Sequence, residues 1–141
     1  EGGMPETVED RLKLMPKLEG MMERWGVTPD DILLDPLVFP LAVNEAHAKV
    51  YLETTMELHR RYPDYHIVGG IDNVAHGLPA AKTLGLSLLA MFLGAGADAA
   101  MILLDARVSA FLKAFRALKG EDEYCADLIE AFREGAFTVV E

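Results

Sequence analysis

The sequence predicts an α/β fold built on parallel strands, and three observations carry that prediction. Two short apolar runs, Asp31-Ile32-Leu33-Leu34-Asp35-Pro36-Leu37 and His66-Ile67-Val68-Gly69-Gly70-Ile71-Asp72-Asn73-Val74, each end abruptly in a polar residue and turn signals. Each is followed by a long amphipathic stretch, the pattern of a strand buried on both faces with a crossover helix behind it. The elements run helix, then strand and helix three times, then a last helix, an order that calls for right-handed parallel crossovers. In a barrel of parallel strands the carboxyl ends form the working face, so Asp35 and Asn73 are expected to point into one place from different strands.

Thr7, with Asp10 three residues on, suits a helix N-cap, and Val8, Leu12, Leu14, Met15, Leu18, Met21, Met22 and Trp25 then recur at helical spacing. Pro16 predicts a kink or break inside that pattern, and Gly26 a stop. Met15, Met21 and Met22 read as core filler. Thr28-Pro29-Asp30 leads into a first strand at about 32–34, after which Pro36 and Pro40 shape a loop. A second helix is expected over about 44–62, with Ala46, Val50, Tyr51, Thr54 and Leu58 on its inner side, closed by Pro63-Asp64. The second strand is expected over 65–71, where Gly69-Gly70 permits close approach of backbone or ligand. A third helix over about 79–93 ends at Gly94-Ala95-Gly96, and a third strand over 99–104 ends at Asp105. Two further helices are expected, over about 106–118 and 123–134.

At 141 residues the chain suffices for one domain with a core and falls short of the roughly 250 residues of a complete eight-stranded barrel. Thirteen Lys and Arg against 23 Asp and Glu give a formal charge of −10, a surface that disfavours nucleic acid or an anionic membrane as partner. Cys125 is the sole cysteine, so no intrachain disulfide forms, and a reducing cytoplasm fits. The most apolar region, 84–104, is interrupted by Gly85, Gly94, Gly96 and Asp98, which argues for helix, turn and strand over a membrane span. Glu1-Gly2-Gly3-Met4-Pro5 lacks the regions of a signal peptide. No metal site is expected: His47 and His59 lie twelve apart on one helix, and the four histidines show no ligand spacing. Gly94-Ala95-Gly96 matches neither a dinucleotide nor a phosphate-loop fingerprint.

Taken in order, Leu34-Asp35-Pro36-Leu37-Val38-Phe39-Pro40, then Gly69-Gly70-Ile71-Asp72-Asn73-Val74-Ala75-His76-Gly77-Leu78-Pro79, then Leu89-Ala90-Met91 with Gly96-Ala97-Asp98-Ala99-Ala100, resemble the pterin-binding methyltransferases. That family includes the methyltetrahydrofolate:corrinoid protein methyltransferases and the folate module of cobalamin-dependent methionine synthase. Glu1 to Pro5 resembles the loop after the fifth barrel strand, and Tyr124-Cys125-Ala126-Asp127 the family's final helix. The resemblance covers the whole chain and implies the carboxyl-terminal part, the last three strands with flanking helices, of a (β/α)8 TIM-type barrel. The helix from Ala80 lacks the Asn-Arg pair that relatives often carry before Leu-Ala-Met. A dihydropteroate synthase is disfavoured, because that family expects a lysine-bearing stretch after its Asp and Pro36-Leu37-Val38-Phe39 has none.

The resemblance implies methyl transfer from N5 of methyltetrahydrofolate, or a related methylpterin, to the cobalt of a corrinoid on a separate protein. Asp35 then accepts hydrogen bonds from the pterin N3–H and 2-amino group, a donor edge that a carboxylate fits bidentately. Asn73 reaches the N5 side, where electron density grows as the methyl group leaves, and is the candidate catalytic residue. Asp72 stands where many relatives have Ser, and His76 where they show Gln or an aromatic; both are minor candidates for lining the site. Plainer readings stand beside these. Asp35-Pro36 suits an ordinary turn, Asn73 an Asx-turn, Asp72 a structural role facing away from Asn73, and His76 a solvated loop position.

Three parallel strands leave two raw edges, so the chain is expected to self-associate or to need a partner chain that completes the barrel. The alternative class is a non-catalytic α/β assembly subunit, or a fragment without independent activity.

Overall fold

The computed structural model describes residues 3–137, so Glu1 and Gly2 of the opening motif lie outside the described residues. The chain divides into two units, one up to Ile102 and one from Leu103.

In the first unit, Thr7 caps α1 (Val8–Leu12) by accepting the Asp10 amide at 3.1 Å, with Glu9 and Asp10 placed well for the helix dipole. The expected break falls before Pro16: α2 (Met15–Trp25) begins anew with Pro16 in its first turn. In one continuous helix the Pro16 ring would collide with the Leu12 carbonyl. Gly26, at φ +66°, closes α2 in the left-handed region. Met15 and Met22 are buried as expected, but Met21 is exposed, as are Leu14 and Trp25. Met22, seven residues after Met15, falls on the same face of α2, whereas Met21 is turned about a third of the way round the helix from it, so Met21 is not core filler.

β1 (Leu33–Leu34) and β2 (His66–Ile67) pair in parallel, Leu33 beside His66 and Leu34 beside Ile67. The three expected strands are thus two among the described residues. The third run lies parallel alongside the second through a single bridge, Gly70 to Met101, in which Met101 donates to the Gly69 carbonyl at 2.9 Å and Ile71 to the Met101 carbonyl at 3.0 Å. A longer ladder cannot form there, because the second run leaves extended conformation at Gly70 and coils into a 3-10 turn, Ile71–Ala75. Leu103 and Leu104 are exposed and continue no strand.

The crossovers are α3 (His47–Arg61) and α4 (Ala81–Gly94). α3 buries Tyr51, Leu52 and Leu58. It also buries Thr54 and Thr55, whose hydroxyls donate back to the Val50 and Tyr51 carbonyls at 2.7 and 2.9 Å. The Tyr51 ring stacks on Phe92 of α4, centroids 4.8 Å apart. The close approach anticipated at the glycine pair is made by that tyrosine, whose hydroxyl fills the space a Cβ at Gly69 would occupy. Gly96, at φ +106°, has the His59 ring where its Cβ would stand.

In the second unit, Asp105 caps α5 (Ala106–Leu118), accepting the Arg107 and Val108 amides at 3.0 Å each. The helix expected from Glu123 is divided. A 3-10 turn, Glu123–Cys125, precedes α6 (Ala126–Arg133), with Tyr124 and Cys125 both at φ +55°. Buried Asp122 supplies the true cap, its two oxygens accepting the Asp127 and Leu128 amides at 3.0 Å each.

Candidate functional site

Asp35 follows β1 directly and is exposed. Its Oδ1 accepts the Leu37 amide at 2.8 Å, with Leu37 held at φ +66°, so the carboxylate does make the plain turn contact. A carboxylate offers about four lone-pair positions, and this bond occupies one. Asp35 lines a cleft of about 400 Å³ whose walls are otherwise largely apolar, among them Leu14, Leu18, Ile32, Leu33 and Leu58.

Asn73 stands not on the end of a strand but in the turn after β2, and it is exposed. Its backbone amide donates to the Gly70 carbonyl at 3.3 Å, and a Cβ at Gly70 would lie 3.4 Å from its Nδ2. Strand alternation therefore does not set the direction of Asp72. That residue is exposed, with Oδ1 3.6 Å from where a Cβ on Gly85 of α4 would stand, so it neighbours α4 while Asn73 neighbours Gly70. His76 ends the same turn, exposed, its amide donating to the Asn73 carbonyl at 3.2 Å.

Asp35 follows β1 directly, Asn73 lies in the turn beyond β2, and the two loops are tied together. Leu41, in the loop after β1, donates to the Val74 carbonyl at 3.0 Å, and Gly77 packs near Ala42. Asp35 and Asn73 thus stand on two segments, each following one of the paired parallel strands, that brace one another. This is where parallel α/β sheets place ligands.

Two polar groups near Asp35 escaped the sequence reading of this site. Arg11 of α1 is 6% exposed and lines the cleft. Its Nε donates to the Pro5 carbonyl at 3.1 Å and its guanidinium lies over the Phe39 ring, 5.1 Å from the centroid. Burial depresses the Arg11 guanidinium, and the Asp35 carboxylate opposes that effect. Burial pushes the Tyr51 hydroxyl far above its usual range, and the Asp35 charge adds to the rise. The signal for Arg11 was positional: it sits three residues after Val8 and four before Met15, a charge on the buried helical stripe.

A second polar cluster stands at the amino ends of the runs. His66 Nδ1 contacts Asp98 Oδ2 at 2.6 Å and Nε2 contacts Asp30 Oδ1 at 3.3 Å, which raises the imidazole above its ordinary value, Asp98 contributing most. Asp98 Oδ1 also accepts the Ile67 amide at 3.0 Å. The cluster pins the three runs together where they begin, away from Asp35 and Asn73. Among the described residues, no three His, Cys, Asp or Glu side chains gather as a metal site would require, and no helix is long and apolar enough to cross a membrane.

Comparison with known proteins supplies the chemical context. No family model matches the chain. It is 31% identical over 135 residues to the methylcorrinoid:tetrahydrofolate methyltransferase of Eubacterium limosum, an alignment covering 94% of this chain and 49% of that protein. It is 30% identical over 112 residues to the methionine synthase of Mycobacterium tuberculosis and 29% identical over 112 residues to that of Mycobacterium leprae, each covering 72% of this chain and 9% of the synthase. The resemblance drawn from the ordered motifs is borne out by these relatives. The chain spans about half the length of the first and a small part of the other two.

Proposed function

We propose that this chain forms the last part of a pterin-binding (β/α)8 barrel that moves a methyl group between a reduced folate, or a related methylpterin, and the cobalt of a corrinoid carried by a separate protein. The observation that supports this reading is that Asp35, directly after β1, and Asn73, in the turn beyond β2, stand on two loops joined by the Leu41–Val74 bond in a chain 31% identical to a methylcorrinoid:tetrahydrofolate methyltransferase.

Asp35 binds the pterin. Its remaining lone pairs accept the N3–H and 2-amino hydrogens, while the Leu37 amide fixes the carboxylate from the protein side. Asn73 acts on the reacting side. As the methyl group leaves with neither electron of its bond to N5, that electron pair stays on nitrogen, and an amide side chain bonded there more strongly in the transition state lowers the barrier. Asn73 does not titrate, so any proton delivered to N5 comes through solvent. The corrinoid supplies the cobalt chemistry, and this chain holds and orients the methylpterin. Asp72 lies within the same turn and His76 closes it, and both play secondary parts at the site.

The barrel needs its earlier strands, and among the described residues β1 is paired on one edge only, with β2. Ile32 and Leu34 carbonyls accept from His66 and Val68 of the second run, so in the alternating ladder the Leu33 backbone groups turn to the opposite edge. That edge borders the apolar cleft, and half of the Eubacterium limosum relative lies outside the match. We place the preceding strands there, whether from a longer polypeptide or from a partner chain. The same open edge would serve a non-catalytic assembly subunit, and folate binding separates the two readings. Fluorescence titration of the assembled barrel with 5-methyltetrahydrofolate should saturate; no detectable binding by the assembled barrel would overturn the methyltransferase reading.

A further inference from the structure

One peptide unit joins the two loops of the candidate site, and it is held at both ends. The Leu41 amide donates to the Val74 carbonyl at 3.0 Å, and the Pro40 carbonyl of the same peptide lies 2.9 Å from Nδ1 of His47, the first residue of α3. A carbonyl oxygen can only accept, so Nδ1 carries the hydrogen and donates it. The Val43 amide, at 3.2 Å, is a second donor to that oxygen. Proline locks its own φ at about −65°, so the tilt of the Pro40–Leu41 peptide is left to ψ of Pro40, and these bonds fix it. His47 is itself buried and packs on the Phe39 ring, centroids 5.2 Å apart, which holds the imidazole in place behind the bond.

We propose that His47 is a positioning residue for Asn73, acting through the Pro40–Leu41 peptide. The inference rests on the reading of Asn73 as the group at the pterin N5. Asp35 is fixed inside its own loop, where Oδ1 accepts the Leu37 amide. Asn73 is held by its own turn, its amide on the Gly70 carbonyl at 3.3 Å and its carbonyl taking the His76 amide at 3.2 Å, and neither bond reaches the Asp35 loop. The Leu41–Val74 bond does, one residue beyond Asn73. By orienting the peptide that makes it, His47 sets where Asn73 stands relative to Asp35, and a pterin held at Asp35 meets Asn73 well only when that offset is right. The effect therefore falls on the chemical step more than on binding.

The test pairs amide hydrogen exchange with methyl-transfer kinetics. The variants are His47→Phe, which keeps a ring against Phe39 without the donor, His47→Asn, whose side-chain amide presents an N–H where Nδ1 stood, Asn73→Ala, and the His47→Phe/Asn73→Ala pair. In His47→Phe the Leu41 amide should exchange about five- to tenfold faster than in the parent, while the Val68 amide, bonded to Leu34 of β1 at 2.9 Å, changes by less than about twofold. In the assembled barrel, with 5-methyltetrahydrofolate and a corrinoid protein, His47→Phe should lower kcat about tenfold and folate affinity by less than about threefold. His47→Asn should recover most of both losses, and His47→Phe should change kcat by less than about twofold once Asn73 is already Ala. Unchanged Leu41 exchange in His47→Phe, or the same loss of kcat with and without the Asn73 side chain, would overturn the proposal, since a packing defect is indifferent to that side chain. If Asn73→Ala itself transfers methyl groups like the parent, the reading of the site fails and the proposal with it, and faster Leu41 exchange would then show a brace that serves no reaction. Should His47→Phe not fold, His47→Leu takes its place throughout and decides by the same criteria.

Discussion

Gly69→Ala puts the packing account under direct strain. A Cβ at residue 69 would overlap the Tyr51 hydroxyl and lie 3.0 Å from Tyr51 Cζ and 3.2 Å from Phe92 Cζ. Tyr51 and Phe92 are both 0% exposed and stack on each other, so neither ring can step aside without shifting α3 against α4. Overpacking of this kind costs about 1–3 kcal/mol, which lowers the melting midpoint by a few degrees per kcal/mol. The hydroxyl is also buried without a partner, an arrangement that costs about 1–3 kcal/mol relative to a satisfied or absent group. Tyr51→Phe should therefore be neutral or stabilising, and the alanine methyl should partly fill the volume the oxygen leaves. In the Tyr51→Phe background the loss caused by Gly69→Ala should fall by about half or more. Urea denaturation followed by circular dichroism measures all four corners of the cycle. An alanine variant as stable as the parent, or an undiminished loss in the phenylalanine background, would refute the reasoning.

Three further outcomes are expected. Because Asp98 and Asp30 raise the folded-state value of His66, its contribution to stability is fully present below the unfolded value near 6.5 and is lost as pH rises through the folded value. Thermal melts from acidic to alkaline pH should show that decline in the parent and lose it in His66→Gln. Asp122→Ala leaves the first turn of α6 uncapped and should cost about 1–2 kcal/mol, read by chemical denaturation; an unchanged midpoint would contradict the assigned cap. With its β1 edge uncovered, the isolated chain should sediment as more than a monomer at high concentration, and a compact monomer that unfolds cooperatively would count against the open-edge argument.

What was legible in the sequence was local. Thr7 and Gly26 bound their helices because capping chemistry acts within a turn or two, and Asp35 was equally legible as a turn residue, since it accepts the amide of Leu37 two positions on. Asp105 marked the end of the third run, although its structural work is to start α5. The misreadings arose where tertiary contact decides. The second run was drawn too long because Gly69 and Gly70 looked like strand residues, whereas Tyr51 fills the space over Gly69 and the chain coils directly after Gly70. The third run is apolar enough for a strand yet gains a single bridge, since its neighbour has already turned away. The His66 cluster joins residues 32 and 36 positions apart, a separation that no local pattern reveals. Arg11 was visible as a charge on an apolar stripe, but its burial against the Pro5 carbonyl and the Phe39 ring depends on tertiary packing.

The central claim is that Asp35 binds the pterin and Asn73 serves the methyl transfer, and one paired measurement tests it: affinity for 5-methyltetrahydrofolate and the rate of methyl transfer to a corrinoid protein, for Asp35→Ala and Asn73→Ala in the assembled barrel. Asp35→Ala should lose about 1.5–3 kcal/mol of binding, the worth of a charge-assisted pair, whereas Asn73→Ala should depress the rate well beyond any loss of affinity. Parent-like binding and parent-like rates in both variants would contradict the account.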